Sequence, residues 1–372
     1  MSEICVERIY EEVISDLPND LLIHILSLIP TKDAANTMLL SKRWRFLWTM
    51  LPKLVIDFNF ADTTSLLKSI YNCKTLVNLT LSNKILVDVP SPACLPSLQS
   101  LNLKYVMYKD QDSPVRLLAS CPILRDLSIT RGGGECDNVT RFVVKVSSLR
   151  KLTYIQNGYD EDSTMSLVID SPGLHYLKVD DLLGVYRSIQ NTPALDVALV
   201  DAVNTAGFHA NFMFLRSFSS VRFLHLVLSE IACCSGINFT WLIEFKLTLF
   251  GSKSWLEPLM LILDNSPVLK VLMIDCYYCN IVPLSWNKPS SVPVCLLSTL
   301  EILEWKDYEG GREENQFLAY ILSNSKCLKT VGVSPKYYYN RKEIMDDIKS
   351  MYRVSASSHL LFSAQWEWSF ME

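Results

Sequence analysis

Leu98-x-x-Leu101-x-Leu103, Leu124-x-x-Leu127-x-Ile129 and Leu149-x-x-Leu152-x-Tyr154 repeat one apolar phrase three times in succession. The phrase continues in both directions. Upstream it reads Leu76-x-x-Leu79-x-Leu81, with Leu51-x-x-Leu54-x-Ile56 one spacing earlier. Downstream come Leu174-Leu177-Val179, a weaker Leu195-Ala198-Val200, Val221-Leu224-Leu226, Leu242-Phe245-Leu247, Leu269-Leu272-Ile274, Leu300-Leu303-Trp305 and Leu328-Val331-Val333. An interval of about 25 residues held over so many copies is the mark of a repeat array. Within each phrase, alternation puts the second and third apolar residues on one face of a short strand, and the first turns the chain into it. One such unit cannot shelter its own apolar face, so neighbours must stack into a continuous core.

Several phrases are preceded by a small residue and proline: Cys121-Pro122, Ser171-Pro172, Thr192-Pro193 and Ser266-Pro267. Proline disfavours helix in the residue before it, so these pairs mark helix ends. Helices are expected at Pro114 to Ser120, Trp255 to Asn265 and Glu313 to Asn324. Cys73, Cys121 and Cys327, just ahead of their leucines, read as small buried hydrophobes.

The 372 residues are 49% hydrophobic and 20% charged, which suits a large core and excludes wholesale disorder. Thirty-five basic and 39 acidic residues leave a net charge of -4, which argues against a broad nucleic-acid-binding face. No membrane-length apolar run is visible; Trp241 to Phe250 is broken by Glu244 and Lys246. Met1 to Val13 does not read as a secretory leader, so the 11 cysteines are expected as reduced thiols.

Ahead of the repeats, Leu21 to Ile29 holds seven apolar residues in nine, broken only by His24 and Ser27. Pro18 and Asp20 suit the start of a helix and Pro30 closes it. A second helix is expected over Asp33 to Leu40, capped by Asp33 or Thr31. A third starts at Ser41, with Trp44 and Trp48 one turn apart on the same face. Three short helices cannot cover so much apolar surface by themselves. Composition alone leaves two readings of the surplus: a docking face for a partner, or a cap packed on the first repeats.

A catalytic constellation is not apparent. The five histidines (24, 175, 209, 225 and 359) form no metal-binding spacing, and Cys276-x-x-Cys279 lacks a second ligand pair. Gly132-Gly133-Gly134 lacks the lysine of a phosphate cradle, and no nucleophile elbow is present. No enzymatic activity, cofactor or metal is therefore expected.

The leading segment closely resembles the plant F-box. The resemblance rests on Leu17-Pro18, Asp20-Leu21-Leu22, Ile25-Leu26, Leu28, Pro30-Thr31-Lys32, Leu40-Ser41-Lys42-Arg43-Trp44 and Trp48, while Glu12-Val13-Ile14 departs from the family's usual Asp-Arg-Ile. Over roughly residues 51–335 the repeated phrase resembles the irregular leucine-rich repeats of plant proteins. The usual asparagine at the ninth position survives at Asn157 but is replaced by Val106, Leu182 and Val203, which puts the asparagine ladder in doubt and implies irregular curvature. Pro293-x-Cys295-Leu296, Leu300-x-x-Leu303-x-Trp305, Tyr308-x-Gly310, Glu313-Glu314, Tyr320-Ile321-Leu322 and Leu328-Lys329 resemble the FBD domain.

These resemblances imply an α/β chain: a short three-helix F-box over 12–50, leucine-rich repeats over 51–291 forming an irregular solenoid of parallel strands with helices or loops on the convex side, and an FBD domain over 292–365 that continues the array. The implied function is the substrate-recognition subunit of an SCF-type ubiquitin ligase, without chemistry of its own, cytoplasmic and/or nuclear. It would dock on a Skp-type adaptor, and through it a cullin, using Leu17, Pro18, Leu21, Leu22, Ile25, Leu26, Leu28 and Trp44 for contact or its support. The target protein is unnamed, and no nucleic-acid or membrane partner is implied. Its contact surface would be the open strand face, with Tyr176, Lys178, Leu199, Phe223, His225 and Met273 as candidates. The alternative is a non-catalytic scaffold or inhibitor that binds one protein without ubiquitylation.

Overall fold

A computed structural model describes residues 14, 16–57, 64–66, 68–132, 138–157, 165–181, 187–202, 215–228, 237–250, 255–277, 289–336 and 341–362. Leu182, Val203, His209, Gly133, Gly134 and Cys279, which entered the sequence reading, lie outside these residues. The chain divides into two compact units, Met1–Asp160 with Met165–Gly173, and Glu161–Thr164 with Leu174–Glu372.

The first unit opens with the helix Asn19–Ser27, then Thr31–Asn36 running into a 3-10 turn at Thr37–Leu39, then Trp44–Leu47 running into another at Trp48–Met50. The second helix starts at Thr31 without a side-chain cap, contrary to the expected Asp33 or Thr31 cap; Pro30, with its fixed φ of -56°, precedes it and sets the first turn. The main sheet of this unit is β1 (Lys53–Asp57), β3 (Asn78–Ser82), β5 (Ser100–Lys104), β7 (Asp126–Gly132) and β9 (Lys151–Asn157), each parallel to the next.

Between these strands run shorter ones the repeat phrase did not announce. β2 (Thr64–Ser65), β4 (Ile85–Val87) and β6 (Met107–Tyr108) form one small parallel sheet, and β8 (Arg141–Val144) pairs with β10 (Ser166–Asp170). Phe142 of β8 sits edge-on to Tyr154 of β9, with ring centroids 6.3 Å apart, so the small strands close over the same core. One helix, Ser113–Ala119, takes this place in the β5–β7 crossover.

The second unit carries β11 (Tyr176–Asp181), β12 (Arg187–Gln190), β13 (Val197–Ala202), β14 (Phe223–Leu228), β15 (Glu244–Phe250), β16 (Val271–Tyr277), β17 (Ile302–Tyr308), β18 (Thr330–Pro335) and β19 (His359–Leu361). From β11, skipping β12, to β19 every neighbouring pair in its main sheet is parallel. Helices Leu256–Asp264, Val294–Ser298, Arg312–Asn324 and Arg341–Ser350 fill the crossovers. Trp255, Trp305, Tyr308 and Phe317 meet edge to face, with Trp305 5.0 Å from Tyr308 and 5.9 Å from Phe317.

Every apolar residue of the eleven phrases from Leu76 to Val333 is buried, including the weak Leu195-Ala198-Val200. Small residues before the prolines take up orphan carbonyls. Ser266 Oγ donates to Ile262 O at 2.7 Å and Cys121 Sγ to Leu117 O at 3.2 Å. Gly173, in the turn after Pro172, leaves room for Ser147 O; a β-carbon there would stand 2.5 Å from it. Cys73 and Cys121 are buried as expected, but Cys327 is exposed and donates its thiol hydrogen to Ser298 O at 3.2 Å.

In the first repeats the backbone itself joins the ends of neighbouring strands. Asn83, Lys84 and Tyr105 end their strands with positive φ, which turns their amides toward the next repeat. Asn83 N–H donates to Lys104 O, Lys84 N–H to Tyr105 O and Tyr105 N–H to Thr130 O, at 2.8–2.9 Å. Asn157 turns its side chain elsewhere, donating to Tyr105 Oη at 3.0 Å.

Candidate functional site

The helix Asn19–Ser27 has two apolar faces. Leu22 and Leu26, one turn apart, are 0% and 1% exposed; Leu21, Ile25 and Leu28, on another line of the helix, are 50%, 44% and 73% exposed. The following turn adds Leu39 at 83% and Leu40 at 61%. The inward face packs in a small core with Ala34, Trp44, Leu47 and Trp48, all buried. Leu21 and Ile25 are about half covered already, so a partner that finished the job would gain roughly 1 kcal/mol apiece; Leu28, Leu39 and Leu40 are more open. Single exposed leucines mean little, but Leu21, Ile25 and Leu28 follow one line of one short helix and its C-cap.

This face is held rigidly. Arg43 donates through Nε to Asn19 Oδ1 at 2.9 Å, and through its guanidinium also to the Leu17 carbonyl, tying the third helix to the start of the first. The basic run Ser41–Arg45 thus contains a structural clamp. The Val55 amide donates to Thr31 Oγ1 at 3.0 Å, and Thr75 Oγ1 to Met50 O at 2.9 Å, fastening the helices to β1 and the first repeat. The inward face of the first helix is used within the chain, and the outward face stays open.

Of the residues expected at the adaptor contact, Leu21, Ile25, Leu28 and Pro18 are exposed, and Leu17 is half-buried. Leu22, Leu26 and Trp44 are sealed within the chain and serve as support. Leu39 was not foreseen. Its signal lay in the adjacent apolar pair Leu39-Leu40 just after the short second helix, both of which are exposed.

The open face of the second unit can be read as a grid from the register. One row runs Tyr176, Val197, Phe223, Glu244, Val271, Ile302; the next Lys178, Leu199, His225, Lys246, Met273, Glu304; the third Asp180, Asp201, Val227, Thr248, Asp275, Lys306. Tyr176, Lys178, Leu199, Phe223 and His225 are half-buried and lie in adjoining columns. Met273 does not belong with them: it is 3% exposed. Its register partners on the two flanking strands are Lys246 and Glu304.

The electrostatics of this face are those of a half-dry surface. Burial, then the charges of Lys246 and Lys178, push the His225 imidazole down to about 3, so it stays neutral. Its Nε2 lies 3.0 Å from Thr248 Oγ1. Burial raises Glu244, Asp275 and Glu304 above the usual carboxylate range and lowers Lys246. Among the described residues no group of three His, Cys, Asp or Glu side chains could hold a metal, and no helix is long and apolar enough to cross a membrane.

Family comparisons agree with this anatomy. A model of the F-box domain matches residues 14–55, one of the leucine-rich repeats of FBD-associated F-box protein At5g56370 matches 51–197, and one of the FBD domain matches 288–333. Putative F-box/FBD/LRR-repeat protein At1g22000 of Arabidopsis thaliana is 41% identical, over 100% of this chain and 95% of its own length. The chain belongs to the F-box/FBD/LRR-repeat family. Two further Arabidopsis thaliana members, the putative F-box/FBD/LRR-repeat protein At3g49480 and the F-box/FBD/LRR-repeat protein At4g26340, are 36% and 35% identical over 98% and 94% of this chain and 99% of each relative. F-box/FBD/LRR-repeat proteins are in general protein–protein adaptors of ubiquitin ligases. The open helical patch lies within the matched F-box, and the half-dry strand face within the second unit's repeats.

Proposed function

We propose that the chain is the substrate-recognition subunit of an SCF-type ubiquitin ligase. The F-box helices dock on a Skp-type adaptor, which brings a cullin, and the open strand face holds the target protein. Mechanism is proximity: holding a target beside a conjugating enzyme raises the effective concentration of its lysines without any bond being made by this chain. It acts in the cytoplasm, the nucleus or both. The single observation that carries the reading is the exposed line Leu21, Ile25 and Leu28 on a helix whose other face is fully used by the chain itself.

Docking would bury Ile25, and a carboxylate left in a covered apolar contact costs several kcal/mol, on the order of 100-fold or more in affinity. The test is a pull-down of purified Skp-type adaptor with wild-type chain and Ile25→Asp, with thermal melts run beside it. The expected result is loss of adaptor with an unchanged melt. Undiminished capture would overturn the assignment, and a stable target complex formed without adaptor would favour a scaffold.

A further inference from the structure

The β15–β17 part of the open face contains more carboxylates than it can satisfy. Glu244, Asp275 and Glu304 stand around Lys246 and Lys306 in adjoining rows, with the neutral His225 at the side. Three acids against two bases leave the patch acidic. Asp275 is only 7% exposed, and its buried Oδ1 accepts no hydrogen bond. The charges of Lys306 and Lys246 act on Asp275 and oppose part of the rise that burial causes. A buried carboxylate oxygen without a donor is costly to keep, and its grid position opens on the same face as Glu304. Next to the charged patch lie Phe223 and Leu199, apolar and half-buried.

Resting on the target-receptor reading above, we propose that this patch receives an arginine side chain of the target, whose neighbouring apolar residue lies on Phe223 and Leu199. A guanidinium supplies five donors in a planar fork, which suits two carboxylates at once, and it is less strongly hydrated than an ammonium. It brings the missing donor to Asp275 and cancels the local charge excess. Specificity comes from this desolvated charge pairing, and the apolar neighbours exclude water around it.

The experiment uses the full chain co-purified with its adaptor and pools of short synthetic peptides. Each pool carries an apolar residue beside one fixed residue, which is arginine, glutamine or glutamate. The arginine pool is expected to bind at least about tenfold more tightly than the glutamine pool, and the glutamate pool not at all. Glu304→Gln is expected to erase most of the arginine preference. Glu304→Lys is expected to turn it toward the glutamate pool, an inversion that misfolding does not produce. Equal binding of the three pools, or an arginine preference untouched by both Glu304 variants, would overturn the proposal. Adaptor co-purification in the same preparations separates this outcome from failure of the receptor reading itself.

Discussion

The chain presents two candidate contact surfaces built on opposite principles. The helical patch of the first unit is apolar, uncharged and largely exposed, with Leu28 and Leu39 more than 70% open. The strand face of the second unit is half-buried before any partner arrives, and its charges are already partly dehydrated. A greasy surface of the first kind gains on contact with any complementary apolar groove, which suits one constant partner. A surface of the second kind penalises every ligand that fails to pair its charges, which suits selection among many. The difference teaches that non-directional attraction and directional discrimination can be assigned to separate places on one molecule.

The comparison can be broken most sharply at neighbouring positions of one helix. Leu26→Ala empties a fully buried site and is expected to cost about 2–5 kcal/mol of stability, read as a lowered melting temperature. Ile25→Asp, one residue away on the open face, is expected to leave the melt intact and remove adaptor binding. If both variants melt alike, the separation of inner and outer faces is wrong.

Next in size are two pH effects of opposite sign in the second unit. Glu314 is buried and accepts hydrogen bonds from the Gly311 and Glu309 amides at 3.0 and 3.1 Å; burial outweighs these bonds and lifts its carboxyl to about 7. The folded state therefore holds a proton that the unfolded chain releases near its ordinary value. Stability from this group is full below about pH 4.5 and is lost as pH rises toward 7, by an amount on the order of 1–3 kcal/mol. His225 runs the other way. Its depressed value keeps the folded imidazole neutral, so stability falls as pH drops below about 6.5 and the unfolded chain takes up the proton. Melting curves from pH 4 to 8 are expected to lose a decline between about pH 4.5 and 7 in Glu314→Gln, and to lose a decline below about pH 6.5 in His225→Gln. Unchanged slopes would mean that neither environment is as dry as its geometry implies.

The smallest effect belongs to the clamp on the helical patch. Arg43→Ala removes exposed hydrogen bonds and is expected to cost about 1 kcal/mol in stability. Adaptor affinity is expected to fall modestly, because the first helix is less firmly oriented. Titration of adaptor by calorimetry would read this directly.

The repeat architecture was legible because a strict period leaves its trace in the anchors. Even Leu195-Ala198-Val200, the poorest copy, is buried at every position. The short second-layer strands were overlooked, although Arg141-Phe142-Val143-Val144 and Ser166-Leu167-Val168-Ile169 carry the β-branched residues that favour extended chain. They carry no leucine phrase at the 25-residue interval, so the period leaves no trace of them. Met273 was misjudged for a different reason. Its alternation correctly placed it off the core face, but nothing within its own strand tells that it is 3% exposed between strands carrying Lys246 and Glu304 in register. Exposure on a sheet depends on partners in register, and those are about 25 residues away in the chain. In the F-box, pattern located the apolar helix, while the division into supporting Leu22 and Leu26 and open Leu21 and Ile25 required the packing of Trp44 and Trp48 to be known.

β19 is only three residues long, whereas β15, β16 and β17 have seven each. Among the described residues β19 is the last strand of this sheet, and the outer edge of such a strand presents amides and carbonyls to any other extended peptide. Three residues, two of them exposed and one a histidine, make a poor template for such recruitment. Brevity at this margin thus works as a safeguard against copies of the molecule zipping together end to end, and lengthening the rung by a few β-branched residues would be a direct route to fibrils.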